Sequence, residues 1–163
     1  PLKANYKRAV IETEDLTPEY IQHKIYELNI EWLQTYFYVE ALDEAVLSNP
    51  ETYIINKGGY IFFAKLNNDI VGTVALMPTK KENVFELTKM AVSPEHRGLK
   101  IGQQLMKHCI HFAKTNNFIG LMLYSNTKLE NAIYIYKKYG FKEIPVEDNS
   151  PYIRSDIKME LVF

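Results

Sequence analysis

The spacing of apolar and polar positions changes period several times along the chain, and each change marks an element. Weak alternation over residues 6–12 predicts a first strand. Thr17 followed by Pro18 supplies an N-cap and a proline at the first helical position, so a helix begins there. Residues 20–28 and then 31–47 are rich in helix-compatible types and carry the aromatic set Tyr26, Trp32, Tyr36, Phe37 and Tyr38, and Ser48, Asn49 and Pro50 close this helical region. A period of two then takes over. Residues 52–55 read as a short strand, Gly58 and Gly59 turn the chain into 60–65, and Asn67, Asn68 and Asp69 turn it again into 70–77, an antiparallel meander. Along 84–92, alternation puts Val84, Glu86, Thr88, Met90 and Val92 on one face and Phe85, Leu87, Lys89 and Ala91 on the other. Glu86 and Met90 are therefore expected to share a face.

Helical spacing returns with Ile101, Leu105, Cys109, Phe112 and Ala113 and ends near Asn116 and Asn117. Residues 118–124 form an apolar run of buried-strand type. Thr127 and Glu130 read as a capping box opening a helix over 129–139, which Gly140 and Phe141 stop with a left-handed residue and its apolar contact. Short strands around 141–146 and 157–163 finish the chain, with no internal repeat and no low-complexity linker. The order predicts a mixed α/β fold, a sheet with helices on both faces.

Composition narrows the field. A chain of 163 residues, 47% hydrophobic and 24% charged, suits one domain over 1–163 with an ordinary core. Its net charge of −1 supplies no global field for nucleic acid or an anionic membrane, so neither is expected as a partner and any basic site is local. Cys109 is the only cysteine, which excludes an intramolecular disulfide and a cysteine-based zinc site. No leader-like apolar run and no window near the ~20 residues of a membrane span is present, so the expected location is cytoplasmic. His108 and His111 stand three apart without a carboxylate or thiolate set, and the expectation is solvated histidines and no metal.

Candidate chemistry concentrates after the 84–92 strand. A strand that leaves through Ser93 and Pro94, passes His96, Arg97, Gly98, Leu99, Lys100, Ile101 and Gly102, and enters a helix can hold an anion on unpaired amides, on the positive end of the helix dipole and on two cations. Its glycines lack dinucleotide-fold spacing, and Gln103 and Gln104 stand where a phosphate-loop lysine and hydroxyl would be.

Here the chain resembles the GNAT superfamily of N-acetyltransferases. Arg97, Gly98, Leu99, Lys100, Ile101 and Gly102 fit that family's signature loop at its first and last positions, with Lys100 where the inner glycine usually sits. Glu86 to Arg97 looks like the family's fourth strand and its exit, and Asn131 to Phe141 like its second signature helix. The resemblance is specific over 84–141 and loose before it.

The resemblance implies a predominantly antiparallel sheet of about six to seven strands, splayed between the fourth and fifth, and acetyl-CoA as co-substrate. It places the pantetheine arm on main-chain groups around Met90, Ala91 and Val92, and the pyrophosphate on amides from Arg97 to Gly102 with Gln103 nearby. Lys100 then either adds a cation or is a solvated surface lysine. Asn131 and Tyr134 join the cofactor set; Asn131 could equally cap its own helix. Tyr136 matches the usual general acid and Glu86 the strand carboxylate that serves as base, commonly through water; the plain alternatives are a packed tyrosine and an exposed strand charge. The acceptor, a small-molecule or peptide amine, is expected between the N-terminal helices and the sheet end, near Trp32, Tyr36, Tyr38, Glu40 and Arg154. A homodimer is compatible with the exposed tyrosines. A domain that binds coenzyme A without catalysis is the alternative reading.

Overall fold

Thr17 accepts a hydrogen bond from the Tyr20 amide at 3.1 Å and Pro18 occupies the first helical position, so α1 (Pro18–Tyr36) starts where the sequence predicts. These features belong to a computed structural model that describes the backbone of residues 2–3 together with residues 17–67 and 69–163. The strand expected over 6–12 lies outside the described residues.

The N-terminal helices divide differently from expectation. α1 runs unbroken through Asn29, whose side-chain amide donates to the Ile25 carbonyl at 3.0 Å, and buries Ile21, Ile25, Leu28 and Leu33. The break comes later. Glu40 and Asp43 form a capping box that starts α2 (Ala41–Ser48), so the expected helix over 31–47 is two helices meeting at residues 37–40. Residues 52–55 are helical rather than a strand: Pro50 opens the one-turn α3 (Pro50–Tyr53), and a 3₁₀ turn follows over Ile55–Lys57. The apolar pair Ile54 and Ile55, which suggested a strand, is the buried side of these turns.

The sheet contains β1 (Leu2–Lys3), β2 (Tyr60–Leu66), β3 (Asp69–Pro78), β4 (Val84–Val92), β5 (Gly120–Ser125), β6 (Lys142–Ile144) and β7 (Ile157–Val162). Its order is β1-β2-β3-β4-β5-β7-β6. Among the described residues only β4 and β5 pair in parallel, through the crossover helix α4 (Ile101–Thr115); the other neighbours are antiparallel. One core lies between the sheet and α4 with α5 (Glu130–Lys138), around Leu76, Leu87, Leu105 and Phe141; the other lies between the sheet and the N-terminal helices, around Ile25, Leu47, Phe63 and Ala91. Among the described residues, no helix is long and apolar enough to cross a membrane.

Strand β4 is irregular on both of its edges. Its pairing with β5 stops at Glu86↔Met122, and the two strands then part, as the splay expectation requires. Its register against β3 shifts between Thr73 and Ala75, where Lys89 takes a left-handed conformation at φ +54°. Leu87 consequently packs in the α4-side core and Ala91 in the opposite one, although unbroken alternation would put them together. Glu86 and Met90 therefore do not share a face. Glu86, opposite Met77, looks to the α1 side, and Met90 to the α4 side.

The end of α5 is as predicted but its start is not. The Thr127 amide and hydroxyl both donate to the Asp156 carboxylate, at 2.8 Å each, so Thr127 forms no capping box with Glu130. An ionised carboxylate from the segment before β7 satisfies both donors at once. At the other end Gly140, at φ +99°, closes a Schellman motif: the Phe141 amide donates to the Tyr136 carbonyl and the Gly140 amide to the Lys137 carbonyl, both at 3.0 Å. The accompanying ring contact joins Tyr136 and Phe141 with centroids 6.0 Å apart.

A Cβ at residue 140 would sit in a disfavoured left-handed conformation and 3.1 Å from Leu161 Cδ1. Gly140→Ala is expected to lower stability by roughly 1–2 kcal/mol, read as a reduced urea midpoint at unchanged slope.

Candidate active site

Where β4 and β5 part, they leave a cavity of about 600 Å³ roofed by the last turns of α1 and closed at one side by the start of α5. It gathers residues from both faces of the sheet. Glu86 enters from the α1 side and Tyr136 from α5 on the other, and a continuous sheet would keep them apart. Met90, Ala91, Val92, Arg97, Asn131, Trp32, Tyr36 and Arg154 also line it. Gly98, Leu99, Lys100, Ile101, Gly102 and Gln103 form the adjoining loop and first helical turn, outside the lining. Tyr134 is 63% exposed and stands off the cavity, as do Tyr38 and Glu40.

The loop at the α4 end has the geometry of an anion cradle. Gly98 is left-handed at φ +87°, and Lys100, the N-cap of α4, is left-handed at φ +61° and ψ +24°. The Lys100 conformation accounts for the glycine that the motif usually carries here, since a glycine meets no Cβ penalty. The amides of Ile101, Gly102 and Gln103 have no partner within their own helix. A Cβ at Gly98 would meet no atom within 4 Å, so the space over the loop is open; one at Gly102 would touch Met90 Sδ at 3.7 Å. Arg97 turns elsewhere: its guanidinium pairs with Glu31 at 2.5 Å and lies 5.5 Å from the Tyr36 ring. That pair ties the exit of β4 to α1.

Two protonatable groups line the cavity. Burial pushes the Tyr136 phenol up to about 12, and among the described residues no group hydrogen-bonds its hydroxyl. Burial also raises the Glu86 carboxyl above its ordinary range, against the opposing pull of Lys89, the Thr88 hydroxyl and Lys158. The phenol stays protonated at neutral pH, and the carboxyl binds a proton more tightly than a solvated glutamate.

Beyond Glu86 lies a charged cluster that no local pattern in the sequence marks as a unit. Asp43 is fully buried and accepts four hydrogen bonds: from Lys89 Nζ at 3.0 Å, from Arg154 at 2.5 and 3.0 Å, and from the Glu40 amide at 2.9 Å. Arg154 also donates to Glu40 at 3.0 Å. Lys89 donates to the Tyr152 hydroxyl at 3.0 Å, and both cations lie 4.6 Å from the Tyr152 ring. Arg154, a candidate for substrate binding, is thus held by two carboxylates at the start of α2. Nearby, Tyr124 donates to Glu147, which pairs with Lys158 at 2.7 Å. Lys128 closes the mouth, with Nζ 2.5 Å from the Tyr36 carbonyl and 4.2 Å from the Phe37 ring. A lysine on the apolar side of a predicted strand was the available signal for Lys89; nothing local marks Tyr124 or Tyr152.

The remaining candidates are structural. Cys109 is fully buried on α4 and burial raises its thiol. His108 is not a solvated surface group: it meets Phe62 edge-on at 4.6 Å, and burial lowers its pKa. Among the described residues there is no group of three His, Cys, Asp or Glu side chains that could hold a metal ion.

Residues 24–141 match the sequence model of the Acetyltransferase (GNAT) family. The chain is 30% identical over 104 residues to N-acetylaspartate synthetase of Xenopus tropicalis, a match covering 63% of this chain and 38% of that protein. In three dimensions it resembles an acetyltransferase of the GNAT family from Staphylococcus aureus Mu50, with a TM-score of 0.78, 24% identity and 98% of each chain covered. It also resembles a GNAT acetyltransferase from Elizabethkingia anophelis with acetyl-CoA bound, with a TM-score of 0.59, 24% identity, and 77% of this chain and 92% of that one covered. The structural likenesses concern the fold.

Burial alone would raise the Asp43 carboxyl, but Arg154, Lys89 and the Glu40 amide outweigh it and hold the group below the usual carboxylate range. A carboxyl depressed in the folded state stabilises above its unfolded pKa of about 3.9, and that contribution is lost as pH falls through the lower folded value. Asp43→Asn, which leaves Lys89 and part of Arg154 uncompensated, is expected to cost about 3–5 kcal/mol at neutral pH. Chemical unfolding at several pH values checks this: the gap to wild type narrows below pH ~4.

Proposed function

The chain belongs to the GNAT family of acetyltransferases, and from that premise we propose that it moves an acetyl group from acetyl-CoA to a primary amine by direct attack in a ternary complex. The acceptor is the amine of a small molecule or peptide. The observation that carries the reading is the convergence of Glu86 and Tyr136 on one cavity beside an anion-cradling loop.

The residues present fit the cofactor. Open space over Gly98 and the unpaired first amides of α4 suit a diphosphate, with Lys100 as an added cation. The unpaired edge of β4 past Glu86 offers backbone groups, around Met90, Ala91 and Val92, to an extended arm. When bound, acetyl-CoA supplies the activated thioester carbon that the amine attacks.

Glu86, ionised, takes the proton that the acceptor ammonium must lose, through an intervening water. Its raised pKa makes it a better proton acceptor than a solvated carboxylate. Tyr136 holds a proton on Oη for the departing sulfur; its unbonded hydroxyl is free to turn into the cavity. Trp32, Tyr36 and Phe37, with the Trp32 ring centroid 5.3 Å from that of Tyr36 and 5.8 Å from that of Phe37, form an apolar wall that limits water around the reacting amine.

Purified protein is expected to release thiol from acetyl-CoA when given a panel of amines. Tyr136→Phe should lower kcat by about 10²–10³-fold with acetyl-CoA affinity little changed. Binding without turnover across the panel would sink the catalytic reading and leave a coenzyme A-binding domain.

Glu86 gives a second, independent test with two signs. The base must be ionised, so kcat/KM should rise with pH through a value above the ordinary glutamate range, and Glu86→Gln should remove that limb. A carboxyl raised in the folded state penalises folding once pH exceeds the folded pKa. Glu86→Gln should therefore melt higher than wild type near pH ~8 and no higher near pH ~4, while catalysing more slowly.

A further inference from the structure

Among the described residues, five non-glycine positions have positive φ: Asn67, Asn83, Asn117, Lys89 and Lys100. Asparagine tolerates the left-handed conformation through local hydrogen bonding; lysine has no such compensation. Both lysines flank the cavity, and one of them, Lys89, is also the residue at which the β3–β4 register steps. Something must hold it there.

Its side chain is tethered at the far end. The Lys89 side chain is 5% exposed, its ammonium bonded to the fully buried Asp43 and to the Tyr152 hydroxyl, with the Tyr152 ring alongside. Its anchors are themselves fixed. Asp43 belongs to the capping box of α2 and is clamped by Arg154, which stands two residues after Tyr152. A straightened β4 would turn residue 89 to the α4-side core, abandoning Asp43 and placing an unpaired ammonium among apolar side chains. The ion pair thus requires the left-handed step, and offsets its strain in a residue that carries a Cβ.

We propose that Lys89 is a positioning residue, whose buried ammonium, anchored on Asp43 and Tyr152, holds β4 in the step that directs Met90 and Val92 toward the start of α4 while Glu86 keeps the α1 side. The step is what allows Met90 to meet Gly102 and Glu86 to face the acceptor end of the same cavity. Lys89 thereby joins the two ends of the site: α2 and the Tyr152 segment on one side, the cofactor edge of β4 on the other. The consequence for acetyl-CoA rests on the acetyltransferase function proposed for the chain.

Glycine and methionine at position 89 separate the anchor from the backbone. Both remove the ammonium, but glycine adopts the left-handed conformation without strain. The β3–β4 register, read from cross-strand amide contacts in solution NMR, should keep the step between Thr73 and Ala75 in Lys89→Gly and lose it in Lys89→Met. Acetyl-CoA Kd should stay within about threefold of wild type in Lys89→Gly and weaken about tenfold or more in Lys89→Met, although both melt lower than wild type. A methionine variant that fails to fold beside a folded glycine variant counts for the proposal. A methionine variant with the step and the affinity intact overturns it, as does a glycine variant that behaves like methionine or does not fold. If wild-type protein binds no acetyl-CoA, the acetyltransferase function fails, and the register comparison still decides the role of Lys89.

Discussion

Past Glu86 the backbone of β4 has no β5 partner, and each amide and carbonyl on that edge must be met by water, a side chain or a ligand. A sheet tolerates such a gap only if the two banks are held apart by something other than their own ladder. Here β5 continues to pair with β7 through Ser125↔Ile157, so that bank is held from outside. The β4 bank is held by β3 through Val92↔Gly72, and its exit is tied to α1 by the Arg97–Glu31 pair. The cavity is therefore a property of the frame around it, and its polar edge is the surface on which the proposed cofactor arm would complete the missing ladder.

The charged cluster beyond the gap is expensive unless it is complete. Removing Asp43, Lys89 and Arg154 from water incurs a desolvation penalty that an isolated pair does not reliably return. Asp43 with four hydrogen bonds, and Arg154 shared between Asp43 and Glu40, come close to full satisfaction, and among the described residues no fully buried side-chain polar atom lacks a partner. Apolar residues could stabilise such a position as well. What ions add is direction, because a cation held between named oxygens cannot slide along the strand as a leucine could. Direction is what a strand changing face at residue 89 requires.

Much of the architecture follows from local rules that the sequence displays. Thr17 with Pro18, and Gly140 with Phe141, state where α1 begins and α5 ends because caps act through their own neighbours in the chain. The departures from expectation have a common origin in long-range competition. Thr127 carries a capping-box spacing but gives its donors to Asp156, 29 residues on. Ile54 and Ile55 look like strand because burial, not period, is what a short apolar pair reports. Alternation along β4 fails at Lys89 because an ion pair to Asp43, 46 residues away, outweighs the period of two. The site divides in the same way. Glu86, Tyr136, Arg97 and the glycine loop are legible from motif, whereas Asp43, Tyr124 and Tyr152 converge on the cavity from distant segments and carry no local mark.

Tyr136 shows how a stop signal can serve a site. In a Schellman ending, the residue three before the cap accepts the crossing amide and its side chain packs on the residue after the glycine. At this position the chain places Tyr136 and Phe141, so the geometry that ends α5 also fixes the tyrosine ring against a fully buried phenylalanine. Packing of the ring and a place in the cavity lining are then not competing descriptions. A phenol whose ring is wedged beside a cavity is more constrained than a solvent-facing tyrosine and nearer to a ligand than a core one. Of the alternatives that sequence leaves for Tyr136, the packed ring is present, and it leaves room for the proposed donor role because the same residue lines the cavity.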